Sequence, residues 1–142
     1  MILTQEQEMI REAMRTFAQE RLAPFAGEWD RNHTFPAAAL KELAALGALG
    51  MVVPEEWDGA GMDYISLGLA SEELEYVDTS LRVILSVHTA LSGLTLLTWG
   101  TEDQKRRYLA PQAQGVKIGG YGLTEPGAGS DARAIQSTAV RR

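Results

Sequence analysis

Leu81-Arg-Val-Ile-Leu-Ser-Val-His-Thr-Ala-Leu-Ser-Gly-Leu-Thr-Leu-Leu-Thr-Trp99 is a run of nineteen mostly apolar residues, long enough to raise the question of a bilayer crossing. Two features argue for a helix inside a soluble bundle instead. Arg82 and His88 interrupt the run, and Ser86, Thr89, Ser92, Thr95 and Thr98 form a hydroxyl row at spacing three. Reading outward, Gly100 closes the helix, and Thr101 with Gln104 forms a capping box that opens another running towards Pro111. On the N-terminal side, Asp78-Thr79-Ser80 caps the apolar run, and Asp63 caps a helix carrying Ile65, Leu69, Glu72, Glu73 and Tyr76. Pro54 to Gly61 holds a proline and two glycines in eight residues, which is loop chemistry. Pro36 starts a helix over Ala37 to Leu46, which Gly47 stops. Thr4 and Gln7 form a first capping box, and Ile10, Met14, Phe17 and Leu22 mark an amphipathic helix over residues 5–22, interrupted at Pro24. The pattern changes after Pro111. Val116, Ile118 and Tyr121 to Thr124 are rich in glycine and β-formers, and Gln136 to Val140 reads as a second strand. The expected fold is mainly α, an all-α domain over 1–113 followed by the first strands of a β-domain over 114–142. Two strands alone make no stable sheet, so either they pair with another copy or the chain is the front portion of a larger protein.

The 142 residues carry thirteen Lys and Arg against nineteen Asp and Glu, a net charge of −6. That balance disfavours nucleic acid and anionic membranes as partners. The charge is uneven: residues 1–99 hold six basic and fifteen acidic side chains, residues 100–142 seven and four. With no cysteine there is no disulfide, no thiolate metal site and no cysteine nucleophile. His33 and His88 are the two imidazoles, so zinc chemistry and a Ser-His-Asp hydrolase are disfavoured and no metal site is expected. The N-terminus lacks a basic, apolar leader, which sets the expectation of a cytoplasmic protein with no membrane span.

The segment Tyr121-Gly-Leu-Thr-Glu-Pro-Gly-Ala-Gly-Ser-Asp131 holds the most informative chemistry. Its glycines let a ligand approach the backbone, and its hydroxyls and N–H groups suit a phosphate or pyrophosphate. Gly127 to Ala132 satisfies G-x-G-x-x-A, yet a dinucleotide fold needs a helix after the loop and an acidic residue about 20 positions on, and neither follows. On these residues alone, a phosphate cradle and a structural turn between strands both stand.

That segment resembles the signature of the acyl-CoA dehydrogenase family, flavoproteins that oxidise the α,β bond of acyl-CoA thioesters. Val53-Pro-Glu-Glu-Trp-Asp-Gly-Ala-Gly61 is similar to the family's proline-to-glycine loop, with Asp58 where glycine is usual. Gly100-Thr-Glu-Asp-Gln-Lys-Arg-Arg-Tyr-Leu109 is similar to its glycine-glutamine-lysine-leucine turn. The resemblance runs from Leu3 to Val140 and implies an N-terminal helical domain, a middle β-domain and a C-terminal helical bundle.

It further implies FAD as cofactor, acyl-CoA as substrate, an electron-transferring flavoprotein as electron acceptor and a homotetramer. Tyr121, Gly122, Leu123 and Thr124 fall where the family meets the isoalloxazine; Gly129 and Ser130 fall at the pyrophosphate, with Ser130 also at the thioester. Glu125 and Asp131 are expected to order the loop. Val83, Ile84, Val87 and Leu91 fall on the helix lining the acyl cavity, a position also consistent with plain core packing. Arg82 falls where glutaryl-CoA relatives meet a distal carboxylate, with a surface salt bridge as the alternative, and Val83 replaces their serine. His88 is expected to be a satisfied, partly buried histidine. The family's catalytic glutamate lies outside this chain, so the catalytic residue is unknown. The competing expectation is a non-catalytic helical module, or an inactive fragment, that assembles with other chains or binds acyl-CoA.

Overall fold

Thr4 Oγ1 accepts from the Gln7 amide and Gln7 Oε1 accepts from the Thr4 amide, so two otherwise orphaned donors at the start of the first helix are satisfied reciprocally. In this computed structural model, which describes residues 2–140, that helix is α1 (Gln5–Phe17), continued by a π-turn at Ala18–Leu22. Helices α2 (Ala26–Arg31), α3 (Ala37–Ala45) and α4 (Tyr64–Glu75) follow. The apolar run forms one long helix, α5 (Thr79–Trp99), with a π-turn at Val87–Gly93 in its middle. Helix α6 occupies residues 102–113. Asp63 caps α4 through the Ser66 amide, Asp78 caps α5 through the Leu81 amide, and Thr101 caps α6 in a second reciprocal box.

Helix α6 runs through Pro111 rather than stopping before it. A proline has no N–H to give the preceding turn, which frees a carbonyl there. The Arg107 carbonyl, four residues back, instead accepts from Lys117 Nζ at 3.0 Å, and the turn over Lys105–Leu109 widens to π geometry.

The core lies between α1, α4 and the first half of α5. Met14, Phe17, Leu22, Leu40, Leu43, Leu74, Leu81 and Leu85 are all buried in it. Burying each such leucine contributes about 1.5–3 kcal/mol. Gln7 Nε2 donates to Asp63 Oδ2 at 2.6 Å and Arg15 pairs with Glu73 at 2.6 Å, which fixes how α1 lies on α4. A second apolar cluster, Val53, Trp57, Leu109 and Ala113, seats the Pro54–Gly61 loop against α6. Asp58 stands in that loop at φ 61°, a left-handed conformation that favours glycine and that Asp tolerates better than most side chains. At 21 residues and mean hydropathy 1.4, α5 is long and apolar enough to cross a membrane by length and composition. Its Leu81, Leu85, His88, Thr89 and Gly93 are nonetheless buried against the rest of the chain.

The strands expected over Val116 to Thr124 and over Gln136 to Val140 do not form. Among the described residues there is no ladder, only an isolated bridge between Glu125 and Ala128 and a 3-10 turn at Ala132–Ala134. Extended backbone becomes a strand only when a neighbour takes up its N–H and C=O groups. Here the Glu125 carboxylate takes the amides of Gln136 and Ser137 at 2.8 and 3.0 Å, so the second segment is spent on a local loop rather than on pairing.

Candidate functional site

The site is built from the middle of α5 outward. His88 is 1% exposed. Its Nδ1 accepts from the Gly119 amide at 3.0 Å. An amide N–H can only donate, so the ring proton sits on Nε2, which donates to the Gln112 carbonyl at 3.1 Å. The Ser92 hydroxyl, one turn along α5, donates to Gln112 Oε1 at 2.9 Å. His88 is therefore satisfied and neutral, as its position on an apolar helix suggested. Burial pushes its pKa below the ordinary imidazole range, outweighing the opposite pull of the Gln112 and Leu49 backbone.

A depressed histidine pKa in the folded state means that the unfolded chain binds more protons as the pH drops. The contribution of neutral His88 is complete above the unfolded pKa of about 6.5 and declines as pH falls below it. Chemical denaturation on either side of about pH 6.5 should show wild-type stability falling on the acid side while His88→Leu stays flat. Carboxylates such as Asp63 and Glu125, whose pKa values are lowered by hydrogen bonds to nearby amides, titrate below the ordinary carboxylate range and act in a separate window. A wild-type profile as flat as that of the variant contradicts this.

Beyond Gly119 the chain is bare. Among the described residues, the N–H and C=O groups of Gly120, Tyr121, Gly122, Leu123 and Thr124 make no hydrogen bond. Tyr121, Gly122 and Thr124 are exposed and Leu123 is half-buried. Gly120 and Gly122 have nothing within 4 Å of where a side chain would start. The Glu125 amide then donates to the Ala128 carbonyl at 2.8 Å and the Ala128 amide returns the bond at 3.1 Å. This turn brings Gly129 beside Thr124: a methyl on Gly129 would lie 3.7 Å from Thr124 Cγ2. The flavin-side and phosphate-side candidates, separated in sequence, meet at one end of the loop, with the exposed Ser130 next to them. Glu125 and Asp131 order the loop as expected, the latter accepting from the Arg133 amide at 3.1 Å.

On α5, Val83 and Leu91 are 40% and 42% exposed, while Ile84 and Val87 are half-buried, with Ile84 packed on the core. Arg82 pairs with Glu75 at the surface. A concavity of about 300 Å³ between Trp29, His33, Phe35 and Asp78 shares no lining residue with the signature loop. The fixed point of the site, Gly119 on His88, Ser92 and Gln112, was not singled out from the sequence; the paired Gly119-Gly120 just before the signature was its one visible trace.

The helical domain thus leads a glycine-rich segment away with its main-chain groups free. The family model for the N-terminal domain of acyl-CoA dehydrogenases matches residues 4–116, and the chain belongs to that family. It is 45% identical over 138 residues to the short-chain specific acyl-CoA dehydrogenase of Clostridium acetobutylicum, covering 97% of this chain and 36% of that protein. It is 43% identical to the mitochondrial short-chain specific enzyme of Bos taurus, covering 96% and 33%. Among solved structures, butyryl-CoA dehydrogenase from Megasphaera elsdenii superposes with a TM-score of 0.92 at 34% identity, covering 96% of this chain and 36% of that one. An acyl-CoA dehydrogenase from Bacillus anthracis complexed with FAD superposes with a TM-score of 0.83 at 33% identity, covering 94% and 23%. The chain spans about a third of the length of the curated relatives it matches.

Proposed function

We propose that the protein is an FAD-dependent acyl-CoA dehydrogenase acting on short acyl chains, and that this chain supplies one wall of its flavin and thioester site. The observation that carries the reading is the run of free main-chain groups over Gly120 to Thr124, exposed and anchored at Gly119. Bare donors and acceptors without side-chain cover suit the edge of a planar, hydrogen-bonding ring system. When bound, FAD would supply the acceptor for the hydride, and with it the one electron pair, that leaves the acyl chain. Tyr121, Gly122, Leu123 and Thr124 hold the ring edge through main-chain atoms and the Thr124 hydroxyl. Gly129 gives the pyrophosphate access to backbone, and the Ser130 hydroxyl, with its one donor, would lie in contact with the pyrophosphate and the thioester side. Val83, Ile84, Val87 and Leu91 offer apolar contact to the acyl chain. The residue that takes the α-proton belongs to no position in this chain. Residues 1–113 act as the helical domain and 114–142 as the entry to a β-domain. The exposed apolar side chains of α5 suit cover by further domains or subunits of a homotetramer. The setting is cytoplasmic, with an electron-transferring flavoprotein as electron acceptor; a structure of the electron-transferring flavoprotein of Acidaminococcus fermentans contains a chain that superposes with a TM-score of 0.95 at 41% identity, covering 99% of this chain and 37% of that one.

The test is an anaerobic titration of the FAD-loaded, full-length protein with butyryl-CoA, followed by flavin absorbance. Bleaching is expected. A protein that takes up no FAD, or keeps its flavin oxidised with every acyl-CoA tried, overturns the proposal in favour of a non-catalytic module. A dicarboxylic substrate is the second reading, favoured by Arg82 on α5; it requires bleaching by glutaryl-CoA that Arg82→Gln abolishes, although the guanidinium here is paired with Glu75.

A further inference from the structure

The bond from the Gly119 amide to His88 Nδ1 is the last hydrogen bond between the helical domain and the chain that follows, among the described residues. Every later bond, from the Glu125 turn to the Gln136 and Ser137 amides, is internal to the loop. The contact is close on both sides. A methyl on Gly119 would lie 2.5 Å from Ser92 Cβ and 2.7 Å from Gln112 Oε1, so only glycine seats so deeply. The seat itself is rigid: Ser92 and His88 each hold Gln112, one at its side chain and one at its carbonyl. The π-turn of α5 at Val87–Gly93, a distortion that often accompanies functional positions, contains both His88 and Ser92.

We propose that His88 is a positioning residue for the flavin-facing segment, fixing through the Gly119 amide the point and direction in which Gly120 to Thr124 leave the bundle. This rests on the flavin reading above. His88 touches neither cofactor nor substrate; it acts through Gly119. Four residues separate Gly119 from Thr124, and none of their main-chain groups is held by a hydrogen bond, so the anchor at Gly119 sets where the segment starts. Positioning groups of this kind set affinity through geometry, because the ligand otherwise has to order the segment as it binds.

Two near-isosteres divide the role. In His88→Asn the carboxamide oxygen falls where Nδ1 was and keeps an acceptor for Gly119; in His88→Gln the carboxamide nitrogen falls nearer Nε2 and keeps the donor to Gln112. Flavin dissociation constants of the full-length protein, from fluorescence titration, are expected within about threefold of wild type for Asn and weaker by about tenfold or more for Gln. Exchange of the Gly119 amide proton should accelerate in the Gln variant and not in the Asn variant. Gly119→Ala, which strains the same contact with His88 intact, should weaken flavin binding to a similar degree. Equal affinity and equal Gly119 exchange across wild type, Gln and Ala overturn the assignment, as does an Asn variant as impaired as Gln. A wild-type protein that binds no flavin overturns the functional reading instead, and the exchange data then decide whether His88 anchors Gly119.

Discussion

Gly59→Ala is expected to destabilise the folded chain by about 3 kcal/mol or more, enough to leave much of a marginal domain unfolded. A methyl on Gly59 overlaps the Val53 carbonyl oxygen and crowds Val53 Cβ at 2.5 Å. The obstacle is backbone, and it has no rotamer into which to retreat. That same oxygen accepts from the Gly61 amide at 2.9 Å, while Ala60 and Met62 donate to Gly50 and Met51 at 3.0 and 2.8 Å. Opening room for the methyl therefore breaks a set of loop bonds that also seats Trp57 against Leu109 and Ala113. Gly127→Ala is the matched control, since nothing lies within 4 Å of that position. Denaturant midpoints at fixed slope are the measurement, and a Gly59→Ala midpoint equal to that of Gly127→Ala contradicts the packing described for the Pro54–Gly61 loop.

Gly122→Leu is expected to do the reverse, leaving stability unchanged and weakening flavin binding by about tenfold or more. Nothing lies within 4 Å of the position, and among the described residues its N–H and C=O have no partner. The fold has no use for a bare backbone there. A ligand approaching the main chain does, and a leucine side chain stands between the two. The readouts are a melting curve of the apo-protein and a flavin titration of the same sample. Unchanged flavin affinity removes Gly122 from the site; a large loss of stability shows that the glycine serves the fold.

These two glycines mark what the sequence could and could not reveal. Gly59 lies in a stretch that reads as a loop and Gly122 in one that reads as a strand, and only the structure shows the first packed against Val53 and the second with nothing within 4 Å of where a side chain would start. What was legible was local. The boxes at Thr4 and Thr101 and the caps at Asp63 and Asp78 depend on residues three apart, and the helices they open are observed. The family followed from three ordered motifs, and the model match over residues 4–116 agrees with it. What was not legible depends on distant partners. The His88 to Gly119 bond spans 31 positions, and the Arg21 to Glu42 pair that ties the end of the first helix to α3 spans 21. The strands expected after Val116 have the right residues, but β-propensity expresses packing against neighbours, and the described residues offer no neighbouring strand. The passage of α6 through Pro111 likewise involves a carbonyl, that of Arg107, whose partner Lys117 no local pattern names.

The placement of the flavin is tested most directly by a crystal structure of the full-length protein loaded with FAD. The expected result is an isoalloxazine edge hydrogen-bonded to main-chain atoms of Tyr121 to Thr124, with the pyrophosphate beside Gly129 and Ser130 and the Gly119 amide still on His88. Density for FAD elsewhere, with Gly120 to Thr124 left free or paired into a sheet edge, would contradict it.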